Sequence, residues 1–122
     1  MQGIDGWWVA VDGELGGVAL PAEVLPDLAF RFSNGTFRFG VDEGRVVLNA
    51  LSRPEAIDLI STRGPNRGRV VPAIIELTAT SLRICCDLSG TCRPRAFRAP
   101  AGTRRFLATY RRARHMRLVR VR

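Results

Sequence analysis

The sequence predicts an all-β fold, an eight-stranded antiparallel up-and-down barrel with a short helical turn between its first two strands. Three observations predict it. Gly, Asn, Asp and Pro punctuate the 122 residues at short, even intervals; the runs between them are rich in β-branched and aromatic residues, the side chains that suit a pleated, half-buried surface. The connections leave no room for crossover helices, so the strands pair in sequence and antiparallel. Closing eight of them on each other removes both exposed edges and leaves an interior that side chains fill or that holds one small ligand. The length fits one domain, and with 46% apolar residues and a mean hydropathy of +0.01 the composition is globular.

The first strand is read over Trp7–Asp12. After it, Leu20-Pro21-Ala22-Glu23-Val24-Leu25-Pro26 is the one stretch suited to a helical turn, opened by Pro21 and ended by Pro26, and placed to cover a barrel mouth. Strands follow at Leu28–Ser33 and Thr36–Val41, where the period of two is clearest. Phe30, Phe32, Phe37 and Phe39 fall on one face and Arg31 and Arg38 on the other, and Asn34-Gly35 supplies the positive φ angles of a tight hairpin. Asp42-Glu43-Gly44 turns the chain into Arg45–Leu51, Ser52-Arg53-Pro54 into Ala56–Ser61, and Gly64-Pro65-Asn66-Arg67-Gly68 into Arg69–Thr78. Pro72 within that last run calls for a bulge or an unpaired position. Ala79-Thr80-Ser81 leads to Leu82–Asp87, and Arg105–Arg112 completes the count.

The formal net charge of +8 suggests nucleic acid until it is located. Six of the 19 basic residues, all arginine, lie in the last twelve positions, leaving a nearly balanced body over residues 1–110. We divide the chain into a barrel over residues 1–112 and a basic extension over 113–122. The extension, with Arg114, Arg117, Arg120 and Arg122, has contacts with phosphates or an anionic surface within reach, but it contains no aromatic residue and no recognition-helix context, which argues against sequence-specific nucleic-acid reading. No run approaches the ~20 apolar residues of a spanning helix. The opening Met1-Gln2-Gly3-Ile4-Asp5 lacks the layout of a secretion signal, so the expected location is cytoplasmic, without membrane insertion, as a monomer or homodimer. Three cysteines cannot all pair, and free thiols are expected; Cys86 and Cys92 are the pair that oxidising conditions would join.

Gly6-Trp7-Trp8 at the start and Tyr110-Arg111-Arg112 at the end form the pairing that lipocalins use. Between them, Asp12-Gly13-Glu14, Ala56-Ile57-Asp58-Leu59, Gly64-Pro65-Asn66-Arg67-Gly68, Ile75-Glu76-Leu77, Leu82-Arg83-Ile84-Cys85 and Arg93-Pro94-Arg95-Ala96-Phe97 stand in the order and at about the spacing of a bacterial family of small lipocalin-like domains first recognised in planctomycetes. The chain resembles that family from near its start to Arg112, and departs from it in Trp7 beside Trp8, in Cys86 and Cys92, and in the basic extension. The resemblance implies a lipocalin-like barrel in which Gly6 and Trp8, with Arg111 or Arg112 stacked across the indole, seal one end. It implies no activity, because fold does not fix function.

The candidate chemistry is weighed against plain structure. A carboxylate facing an apolar interior would have a raised pKa and serve as a general base; Asp58 and Glu76 are the candidates, with Asp12 and Glu14 beside them, and the plain alternative is an outward ion pair with Arg31, Arg38 or Arg83. Tyr110 is the third catalytic candidate. Trp8, Phe30, Phe32, Phe37, Phe39 and Phe106 would line a ligand space, and Arg31 and Arg38 are grouped with them as polar ligand contacts. Cys85 and Cys86 leave opposite faces of one strand, and a zinc site with Cys92 and His115 lacks the usual spacing, so no metal or cofactor is expected. Binding of one small, largely apolar molecule is the first functional expectation. The others are a cofactor-independent cyclase or isomerase using the same cavity, and a filled structural barrel with a basic arm.

Overall fold

The computed structural model describes residues 3–113. Strand β1 (Gly6–Leu15) is followed by a two-residue strand β2 (Val18–Ala19), a 3-10 helix (Ala22–Leu28), and strands β3 (Phe30–Ser33), β4 (Thr36–Phe39), β5 (Asp42–Asn49), β6 (Glu55–Arg63), β7 (Val70–Leu77), β8 (Ser81–Asp87) and β9 (Arg105–Ala113). Apart from the small β2, which caps the end of β1, these are the eight strands read from the sequence. Each pairs antiparallel with the next, and β9 pairs with β1 from Trp7↔Ala113 to Leu15↔Phe106, so the barrel is closed. No helix among the described residues is long and apolar enough to cross a membrane.

Asn34 at φ 49° and Gly35 at φ 80° turn β3 into β4 as the Asn-Gly pair requires. The helical piece differs in its bounds: Pro21 precedes it and Pro26 lies inside it. A 3-10 segment of this length tolerates an internal proline because few of its amides carry internal hydrogen bonds. Pro72 needs no bulge. The β6–β7 register runs unbroken through Asp58↔Pro72, while pairing of β7 with β8 begins only at Ala73↔Cys86, so the proline sits where β7 has a single neighbour.

Alternation divides the side chains between two environments. Inward lie Trp8, Phe30, Phe32, Phe37, Ile57, Leu59, Ala73, Ile75, Leu82, Ile84, Cys86, Phe106, Ala108 and Tyr110. The phenylalanines cluster, with ring centroids of Phe30 at 5.0 Å from Phe32 and 4.7 Å from Phe39, each such pair worth about 0.5–1.5 kcal/mol beyond its buried area. A second, smaller apolar layer lies outside the barrel, where residues 88–104 cross β6, β7 and β8. Ala56, Ile74, Cys85, Pro94 and Ala99 are buried there although the strand residues among them face outward.

Candidate functional site

One end of the barrel is sealed. Trp8 has no exposed surface, its Nε1–H donates to the Ile4 carbonyl at 2.8 Å, and the Arg112 guanidinium lies 4.3 Å from the ring centroid. Arg112 also donates to the carbonyls of Gly3 and Asp5 at 2.8 Å and of Ala79 at 2.9 Å, tying the N-terminal segment and the β7–β8 turn to β9. Gly6 is required here: its φ is +134°, and a Cβ at this position would stand 2.8 Å from an Arg112 nitrogen. Of the two arginines proposed for this role, Arg112 takes it; Arg111 is exposed on the outer face because it is one residue out of phase.

Toward the other end the interior opens into a cavity of about 280 Å³. Phe30, Phe37, Phe39, Leu59, Val71, Cys86, Leu88 and Phe106 give it an apolar wall, Ser61 adds a hydroxyl, and Asp42 at the start of β5 stands at its rim with Asn66, Arg69 and Arg104 on the connections. The strand alternation that buries Ile57 carries Leu59 and Ser61 to the same inner face of β6. Four of the predicted lining residues are therefore in place: Phe30, Phe37, Phe39 and Phe106. Trp8 and Phe32 are not in the lining; they belong to the packed half between the cavity and the sealed end.

Arg31 and Arg38 are corrected as ligand contacts. Both project outward opposite the phenylalanines, Arg31 stacking on Trp7 at 4.6 Å and Arg38 pairing with Glu43 at 3.1 Å. Asp58 and Glu76 are corrected in the same way, because both fall on outward positions of their strands. Asp58 accepts from Arg93 at 2.7 Å, and the same guanidinium donates to the carbonyls of Ile57 and Ala73, fastening the 88–104 segment across β6 and β7. Glu76, its side chain 62% exposed, pairs with Arg83 at 3.0 Å. Asp12 accepts from the Thr109 amide at 3.2 Å beside the irregularity in β1. No carboxylate of this set faces the interior.

Tyr110 is fully buried, but its hydroxyl donates to the Leu28 carbonyl at 2.8 Å and it is not part of the cavity wall. Burial, with a small addition from Cys86, pushes its phenol well above 10.0. Burial likewise pushes the Cys86 thiol far above 9.0, so the one thiol in the cavity wall is a neutral, apolar surface and not a nucleophile. Cys85 faces the outer layer and donates to the Arg98 carbonyl at 3.4 Å, and burial raises its thiol too. All three cysteines are free; Cys86 faces inward while Cys92 is exposed on the segment outside, so the two do not meet. Among the described residues no group of His, Cys, Asp and Glu is arranged to hold a metal ion. His115 and the arginines from Arg114 to Arg122 lie outside the described residues.

These buried acids set an alkaline limit. The unfolded chain releases its thiol and phenol protons near 9.0 and 10.0, whereas the native barrel retains them. Stability is therefore fully present below pH 9.0 and falls as pH rises above it. Urea midpoints measured across this range should decline, and the decline above 10.0 should flatten in Tyr110→Phe, the chain's single tyrosine. A flat wild-type profile would place the phenol and thiol in water.

Comparison with protein-family models, with curated proteins and with solved structures finds no match.

Proposed function

We propose that this chain is a lipocalin-like binding protein that holds one small, largely apolar molecule in the open half of its barrel. The observation that carries the reading is the cavity itself: about 280 Å³ of space walled by four phenylalanines, leucines and a valine. That is just under the roughly 300–1,000 Å³ usual for drug-sized ligands, and points to an occupant of roughly ten non-hydrogen atoms. Burial of such a body contributes about 25 cal/mol per Å² of apolar surface removed from water. The packing of Trp8, Phe32 and Tyr110 below it supports a fixed floor rather than a channel.

Catalysis by interior acid–base groups finds no support, since Asp58 and Glu76 are outside and the Tyr110 hydroxyl is engaged by backbone. Titration calorimetry with neutral aliphatic and aromatic molecules of this size tests the proposal. Leu59→Trp, which places an indole in the cavity, should fold normally and abolish binding; binding that survives Leu59→Trp at full strength would move the ligand elsewhere.

A further inference from the structure

The wall of the cavity is apolar and its rim is cationic. Arg69 and Arg104 both line the mouth, and Asp42 is the one acid beside them. The Asp42 carboxylate is already occupied: it accepts from the Asn66 amide at 3.2 Å and from the Asn66 side chain at 2.8 Å. Arg69 is held in position by one donor, Nη2, which reaches the Leu88 carbonyl at 3.0 Å, leaving the rest of its guanidinium unengaged. Among the described residues four arginines pair with carboxylates: Arg38 and Arg63 share Glu43, Arg83 has Glu76 and Arg93 has Asp58. Among the described residues Arg69 and Arg104 have none. Two guanidinium groups that form no ion pair, set against the single carboxylate of Asp42, leave the entrance of an apolar cavity net positive and complementary to a small anion with an apolar body. A carboxylate fits their planar, forked donors best.

We propose that the ligand is a compact carboxylate, a medium-chain aliphatic or an aryl acid, with its body among Phe30, Phe37 and Phe106 and its head between Arg69 and Arg104. This inference rests on the binding reading above and specifies its ligand class. The dimensions agree with it, since a cavity for roughly ten non-hydrogen atoms takes the body of such an acid and excludes a long-chain lipid.

The test is calorimetric titration of the whole chain with matched acid and alcohol pairs, decanoate with decanol and naphthoate with naphthalenemethanol, against wild type and the double variant Arg69→Gln, Arg104→Gln. Both positions are exposed, so the double variant should fold, which circular dichroism checks. In wild type the acid of at least one pair should bind about tenfold tighter than its alcohol, as expected for hydrogen bonds to a charged group at a partly solvated site. The advantage should shrink with added salt. In the double variant the advantage of the acid over its alcohol should vanish. Equal affinity of acid and alcohol in wild type, or an advantage that persists in the double variant, overturns the carboxylate assignment and leaves apolar binding standing. Failure of all four molecules to bind wild type overturns both.

Discussion

Replacing Trp8 by alanine should lower the unfolding free energy by about 3–5 kcal/mol, the range for removing a fully buried aromatic ring. The loss falls at the sealed end, where three kinds of interaction meet on one side chain. The indole fills the barrel, its N–H satisfies the Ile4 carbonyl, and its face supports the Arg112 guanidinium that ties three carbonyls together. Against a typical domain stability of about 5–15 kcal/mol, such a variant is marginally folded at room temperature. Trp7→Ala is the internal control. Its ring sits on the outer face under Arg31, where a cation–π contact is worth about 0.5–1 kcal/mol. Urea denaturation of both variants measures the difference, and equal losses would contradict the sealed end as described.

The second large effect is expected at Gly44. It is buried in β5 opposite Ser61, where the register with β6 shifts. A Cβ added here would overlap the Ile60 carbonyl oxygen and stand 2.8 Å from a Phe37 ring carbon. The nearer obstacle is backbone in a paired strand and cannot rotate aside, so Gly44→Ala should cost about 3 kcal/mol or more, at the upper end of overpacking. Gly35→Ala separates this effect from ordinary glycine flexibility: its φ of +80° penalises alanine, but nothing lies within 4 Å of the added carbon. That variant should lose only about 1–2 kcal/mol. Thermal melts showing the same loss at both positions would rule out the close β5–β6 approach.

The barrel was legible in the sequence because its signals are local. Phe30-Arg31-Phe32 and Phe37-Arg38-Phe39 announce both period and sidedness, and Asn34-Gly35 fixes the hairpin between them. The same alternation, applied strictly, already placed Arg31 and Arg38 outside; grouping them with ligand contacts set their charge above their phase. Asp58 and Glu76 needed a finer fact. Their direction depends on register across neighbouring strands, and a one-residue difference inverts it. Their partners show how differently distance along the chain hides an interaction: Arg83 stands directly across from Glu76 in the strand pairing, whereas Arg93 reaches Asp58 from 35 residues away on a segment with no periodicity. The rim was hidden for the same reason. Asn66 reads as turn chemistry, Arg69 as the first residue of a strand, and Arg104 stands in an irregular stretch, so their convergence on one opening emerges only when the barrel closes.

Because β1 and β9 lie side by side, with Trp7 facing Ala113, the two ends of the described chain leave the molecule together at the Trp8 end. A dye attached at Gly3 or Ala113 is then carried on the base of the cup and leaves its opening clear. Surface-immobilised protein tethered there would present its cavity to the solution in a single orientation.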